Sequence, residues 1–241
     1  MNPRTLLVTG CSRGIGLAVT RRLLDEGHAV IGVSRQHPDV GDTGFIHVRL
    51  DLSDLQRLPE QLAEIAKSHP QIDGLVLNAG MGRFGALEQF SAAQVRQLID
   101  LNLTSQVLIA LAFLPKLKHR GAGDLVFVGS EAAIKGGRNG AVYSATKFAL
   151  RGLASALARE LAPQGVHVAH FVIDGGVLNP AKGRVPGPDD PEDRYLGLVN
   201  NRCSDQTSER AEVGNREGAA RHVGHRQRAF LGPLKCGLFI V

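Results

Sequence analysis

Leu6-Leu7-Val8-Thr9-Gly10-Cys11-Ser12-Arg13-Gly14-Ile15-Gly16 is the stretch that decides the fold. An apolar run breaks into a glycine-rich turn, and a helical pattern follows from Gly16 to Glu26, closed by Gly27. Gly10 permits a tight bend, Gly14 lets backbone N–H groups approach phosphates, and Gly16 lets helix and strand pack closely. The start of the helix adds partial positive charge, so the turn, with Ser12, Arg13 and Ile15 in it, suits a pyrophosphate. On the turn alone, another ligand of a related fold, such as S-adenosylmethionine, stays open.

Working outward, apolar runs and helical stretches alternate through the first three-quarters of the chain. Val30 to Val33, Phe45 to Leu50, Leu75 to Leu77, Leu125 to Val128 and Val166 to Ile173 read as strands. One helix has Pro59 in its first turn with Leu62, Ile65 and Ala66 on one face. A second runs from a Ser91 cap through Leu114, and a third covers Ala141 to Leu161. The strands are continuously apolar rather than alternating, so both of their faces are covered. The expected architecture is α/β: a single doubly wound Rossmann-type domain over residues 1–195, with a central parallel sheet flanked by helices. Asn179 to Arg194 is rich in proline, glycine and charge, as suits a loop over a site. Residues 196–241 read as an atypical tail, in which Cys236 to Val241 is the candidate last strand.

The chain of 241 residues is long enough to bury most of its apolar surface around one sheet. The longest apolar run, Val107 to Leu114, is too short to cross a bilayer, and Met1-Asn2-Pro3-Arg4 does not read as a signal peptide, so no membrane partner is expected. Cys11, Cys203 and Cys236 lack pairing or metal-ligand spacing, which points to a reducing, cytoplasmic setting and to no metal. Of the net charge of +5, +3 lies from Asn200 onward, where seven basic residues face four acidic ones. Aromatics make up 5% of the chain and do not interleave with basic residues, so nucleic acid is not the expected partner.

The end of the second strand reads Val33-Ser34-Arg35, where an acid would suit the ribose hydroxyls of NAD. Arg35 and Arg13, with Ser34, suit the 2′-phosphate of NADP(H) instead, with NAD(H) still possible. Asp51-Leu52, after the third strand, is placed to meet the adenine, although Asp51 is equally suited to capping the following turn. Tyr143 and Lys147 are four apart in a helical stretch and share a face. A fixed ammonium favours phenolate and turns a phenol of ordinary pKa near 10 into a usable acid or base. Lys147 can also hold a nicotinamide ribose. Ser130 ends a buried strand, at the edge where open α/β sheets place ligands, and can hydrogen-bond a carbonyl oxygen. Asn102 lies inside an apolar helix, where an amide needs partners; it is placed to hold a water beside Lys147.

From Thr9 to about Val177 the chain resembles the short-chain dehydrogenase/reductase family. The likeness rests on Thr-Gly-x-x-x-Gly-x-Gly at 9–16, Asp51-Leu52, Asn78-Ala79-Gly80, Asn102, Ser130 and Tyr143-Ser144-Ala145-Thr146-Lys147. It implies a cofactor site built partly by Asn78, Ala79 and Gly80, and a catalytic tetrad of Asn102, Ser130, Tyr143 and Lys147. It also implies reversible reduction of a small ketone or aldehyde to the alcohol, with NADPH giving the hydride and Tyr143 the proton, in a homodimer or homotetramer. An NADP-binding relative without turnover, a sensor or scaffold, is the alternative. Two departures stand out. Gly175 replaces the proline of the family's Pro-Gly-x-x-x-Thr and Pro180 stands at the threonine, leaving the backbone at Val177 to meet the nicotinamide amide. Gly197 to Val241 does not resemble the family's helix-and-strand ending, as expected of either a shifted reading frame or a divergent folded end.

Overall fold

The computed structural model describes residues 2–41, 43–173, 176–177 and 195–196. Six strands form one sheet: β1 (Thr5–Thr9), β2 (Ala29–Ser34), β3 (Phe45–Arg49), β4 (Gly74–Leu77), β5 (Gly123–Val128) and β6 (Val166–Phe171). Their order is β3-β2-β1-β4-β5-β6, and every pairing is parallel. This is the doubly wound Rossmann arrangement, with the order reversing between β1 and β4. The helices are α1 (Gly14–Asp25), α2 (Leu58–Ser68), α3 (Ala92–Ile99), α4 (Ser105–Arg120) and α5 (Ala141–Leu161).

The continuous apolar strands are buried because each face has its own cover. Leu7, Leu75, Leu125, Phe127 and Val168 point to the side where α2, α4 and α5 contribute Leu62, Ile109, Phe113 and Leu150. Their neighbours Leu6, Val8, Val76, Val126 and Phe171 face the other way, where α1 lays down Ile15, Val19 and Leu23. Period-two geometry thus divides each strand between two cores.

The predicted helix from Ser91 differs from expectation in two ways. Ser91 does cap it: its Oγ accepts from Gln94 N at 3.3 Å, and Gln94 Oε1 accepts from Ser91 N at 3.0 Å. The helix then widens into a π-helical turn at Asp100–Thr104 before continuing as α4. It also runs beyond Leu114 and through Pro115, ending only at Gly121 in the left-handed conformation (φ 63°). Burial of Leu117 draws it on, and the carbonyl that Pro115 cannot satisfy belongs to Leu111, a solvent-exposed position. The stretch Ala92–Arg120 is therefore long and apolar enough, by composition, to cross a membrane, but Ile109, Phe113 and Leu117 are packed into the core of the domain.

A further pair of short strands, β7 (Gly176–Val177) and β8 (Tyr195–Leu196), pairs in parallel and frames the loop expected over the site. That loop, the proline and threonine replacements at 175 and 180, the tail and the strand at 236–241 lie outside the described residues.

At the amino edge of the sheet, Arg4 joins β1, β4 and β5. Its guanidinium donates to Asp73 Oδ1 at 3.2 Å and to Asp124 Oδ2, while Asp124 Oδ1 meets His167 Nδ1 at 3.1 Å. Burial works to raise the Asp124 pKa, but the bonds from His167 and Arg4 outweigh it and hold the carboxyl below 3.8. The bond to Asp124 raises His167 above 6.5. The Asp124 contribution to stability is therefore present at neutral pH and lost as pH falls below about 4. The His167 contribution has the opposite sign, complete below 6.5 and lost as pH rises above it. Asp124→Asn is expected to cost about 2 kcal/mol near pH 6 in urea unfolding, and to flatten the loss of stability towards acid.

Candidate active site

The site assembles at the carboxyl ends of β1, β4 and β5, beside the point where strand order reverses. Gly10 takes φ +68°, and a Cβ there would lie 3.0 Å from Ala79 Cα. At Gly16 a Cβ would fall 2.1 Å from Gly10 O, so only glycine lets the turn close on α1. Gly14, at φ +58°, has open space where its side chain would be. Helix α1 begins after Arg13 with no side-chain cap and no acid in its first turn, so its leading N–H groups stay available to an anion. Ser12 and Ile15 are half-buried and Arg13 is exposed, as a phosphate cradle requires.

Asn78 locks this turn to β4. Its Nδ2 donates to Thr9 O at 3.0 Å and Gly10 O at 3.3 Å, while Thr9 Oγ1 accepts from the backbone N–H groups of Asn78 and Ala79, each at 3.0 Å. Ala79 O is held by Gln106 Nε2 at 2.8 Å. Asn78 and Ala79 are thus braces for the turn's backbone.

The amide of Asn102, 1% exposed, grips one residue from both sides. Oδ1 accepts from Met81 N at 2.8 Å, and Nδ2 donates to Met81 O at 2.9 Å and to Thr146 Oγ1 at 3.2 Å. The side chain thereby ties the segment after β4 to α5, and the π-helical turn is what aims it there. Between them lies Gly80, where a Cβ would meet Asn102 Oδ1 at 3.2 Å and Lys147 Nζ at 3.9 Å.

Lys147 is buried, and its Nζ donates to Val128 O, at the end of β5, at 3.1 Å. Burial lowers its pKa to about 8. The same nitrogen stands 5.8 Å from the centroid of the Tyr143 ring, so the predicted pairing of ammonium and phenol is present on one helix face. Ser130 follows two residues after Val128. Its Oγ accepts from Ala132 N at 3.2 Å, which leaves the hydroxyl hydrogen to donate elsewhere. Gly129 N donates to Phe171 O at 2.6 Å and Glu131 N to Ile173 O at 2.8 Å, fixing Ser130 from both sides.

Three contacts were not foreseen from sequence. Thr146 Oγ1 donates to Tyr143 O at 2.7 Å while accepting from Asn102. Phe84 packs beside Tyr143, with ring centroids 5.3 Å apart. His170 lies buried beneath Gly129, where a Cβ would fall 2.3 Å from its Nε2. Burial, and then the charges of Lys147 and Arg151, push His170 down to about 4, so the ring is neutral and adds no charge beneath the lysine.

The adenine side is less uniform. Ser34 is buried; its Oγ donates to Gln36 O at 2.7 Å and lies 3.0 Å from His47 Nε2 and 3.2 Å from Cys11 Sγ. Arg35 is exposed, with Asp51 Oδ2 3.9 Å from its Nη1. Asp51 Oδ1 accepts from Ser53 N at 2.9 Å, the turn cap anticipated for it, and Leu52 is buried. Val177 lies in β7.

The family profile described as short chain dehydrogenase matches residues 4–182. Human 17-beta-hydroxysteroid dehydrogenase type 1 is 32% identical over 179 residues, covering 68% of this chain and 54% of its own. A 3-ketodihydrosphingosine reductase from Bacteroides thetaiotaomicron is 30% identical over 180 residues, covering 74% and 65%. Among solved structures, a provisional NAD(P)-dependent gluconate 5-dehydrogenase from Beutenbergia cavernae, with NADP bound at low occupancy, superposes at a TM-score of 0.70. It is 32% identical, over 75% of this chain and 76% of that one. The chain spans between about half and two thirds of the length of the two curated relatives. With the glycine turn, the parallel sheet and the matched residues in agreement, the chain belongs to the short-chain dehydrogenase family.

Proposed function

We propose that the protein is an NADP(H)-dependent oxidoreductase that interconverts a small ketone or aldehyde and its alcohol. The observation that carries this reading is the Lys147 ammonium, buried and held by Val128 O, 5.8 Å from the ring of Tyr143. A nicotinamide dinucleotide, when bound, supplies or accepts the hydride. The uncapped start of α1 and the open space at Gly14 fit its pyrophosphate. Arg13 and Arg35, both exposed, are the proposed partners of a 2′-phosphate. Ser34, whose hydroxyl hydrogen is directed to Gln36 O, shapes that corner from within. Val177 is the proposed backbone contact to the nicotinamide amide.

In the reducing direction the Tyr143 hydroxyl gives its proton to the carbonyl oxygen, and the Ser130 hydroxyl donates a hydrogen bond to the same oxygen. Lys147 stabilises the phenolate left behind. Asn102 acts by placement, since its amide holds the segment that covers Lys147. We place the reaction in the cytoplasm, in a homodimer or homotetramer.

Tyr143→Phe is expected to lower kcat for NADPH-dependent carbonyl reduction at least about 100-fold while NADPH affinity changes little; a variant that retains the wild-type rate overturns the mechanism. Dinucleotide binding without turnover over a broad carbonyl panel would favour a sensor. Because the Lys147 pKa is lowered to about 8, the ammonium is complete below that pH, and kcat for reduction is expected to fall as pH rises through it. Replacing Arg13 and Arg35 together by Ala is expected to weaken NADP binding roughly tenfold more than NAD binding, as read by titration calorimetry.

A further inference from the structure

An exposed phenylalanine is ordinarily free to turn in solvent, but Phe84 is not. Its ring meets that of Tyr143 at a centroid distance of 5.3 Å and a tilt of 58°. A Cβ on Gly82 would lie 3.0 Å from Phe84 Cε2, and one on Gly140 would lie 3.6 Å from Cδ1 and Cε1, so the ring lies over two bare backbone positions, at the first of which a side chain would crowd it. The segment is pinned by Gly85 N donating to Asn139 O at 2.8 Å. Despite these contacts Phe84 is 58% exposed. The ring is therefore fixed on one side and open on the other, next to the phenol that exchanges the proton.

The same two segments carry Leu87, 59% exposed, and Ile134, 43% exposed, the latter four residues after Ser130. Their charged residues, Arg83, Glu88, Glu131, Lys135 and Arg138, are all exposed. An apolar side chain left in water gains nothing from being held there, whereas a preorganised apolar face beside a reacting group gains on binding an apolar partner. Aromatic faces favour flat or bulky apolar groups, and phenylalanine offers a hydroxyl neither an N–H or O–H donor nor a lone-pair acceptor.

We propose that Phe84 is the specificity-determining wall of the substrate site, and that the substrates carry a flat or bulky apolar group beside the carbonyl rather than hydroxyl groups. This rests on the carbonyl reduction proposed above and narrows its substrate class.

The test compares kcat/KM for acetophenone and for dihydroxyacetone with NADPH, using the full chain, Phe84→Ala, Phe84→Leu and, as a control, Ile46→Ala on the far strand β3. Calorimetry of 1-phenylethanol binding to the NADP-loaded protein is the second readout. The expected result is that acetophenone exceeds dihydroxyacetone at least about tenfold. Phe84→Ala lowers that ratio roughly tenfold, chiefly through KM for acetophenone. Phe84→Leu lowers it less, and Ile46→Ala leaves it unchanged. Turnover whose ratio is the same in Phe84→Ala as in the wild type overturns this proposal and leaves carbonyl reduction standing, as does a preference for dihydroxyacetone. Absence of turnover, with 1-phenylethanol binding that weakens in Phe84→Ala, supports the apolar site and overturns carbonyl reduction. Absence of both overturns both.

Discussion

One buried cation anchored on a backbone carbonyl sets the terms for the rest of this site. Lys147 Nζ reaches Val128 O, and that contact requires β5 to end where it does and α5 to lie across it. Burial makes the ammonium easier to deprotonate, while its proximity to a phenol favours the phenolate form of that group. A more exposed position would leave the charge screened by water. The parallel sheet, whose strand ends lie along one edge, is what makes this buried position available.

The other named groups hold this arrangement in register. Asn102 binds Met81 at both backbone atoms and Thr146 at its hydroxyl. Thr146 in turn contacts the backbone of Tyr143. A bidentate amide of this kind fixes distance and orientation together, and the π-helical turn provides the half-step needed to bring it into line. Gly129, resting on His170, plays a similar part for Ser130.

Much of this was legible in the residues. Continuous apolar runs marked β1, β2, β4 and β5, because strands covered on both faces have no polar side to show, whereas the edge strand β3 carries His47 and Arg49 and leaves Ile46 exposed. The Ser91 cap and the three glycines of the turn were readable since each answers a local backbone need. The four-residue spacing that puts Tyr143 and Lys147 on one helix face was readable too. What escaped reading depends on partners distant in sequence or on backbone atoms. The Asn102 clamp closes on the backbone of Met81, 21 residues away, and residue types do not encode backbone positions. The His170 ring under Gly129 and the Phe84 ring beside Tyr143 depend on which strands and loops become neighbours. Helix α4 passed through Pro115 because tertiary burial of Leu117 outweighed local propensity. Ser34 was read as facing a ligand, and its hydroxyl proved to be engaged within the protein by Gln36, His47 and Cys11.

The ion cluster around Arg4 fastens three central strands at the end of the sheet opposite the candidate site. The ions that tie these strands together and the glycine turn thus lie at opposite ends of the same strands, so a substitution at the rim of the sheet's carboxyl edge leaves this fastening untouched.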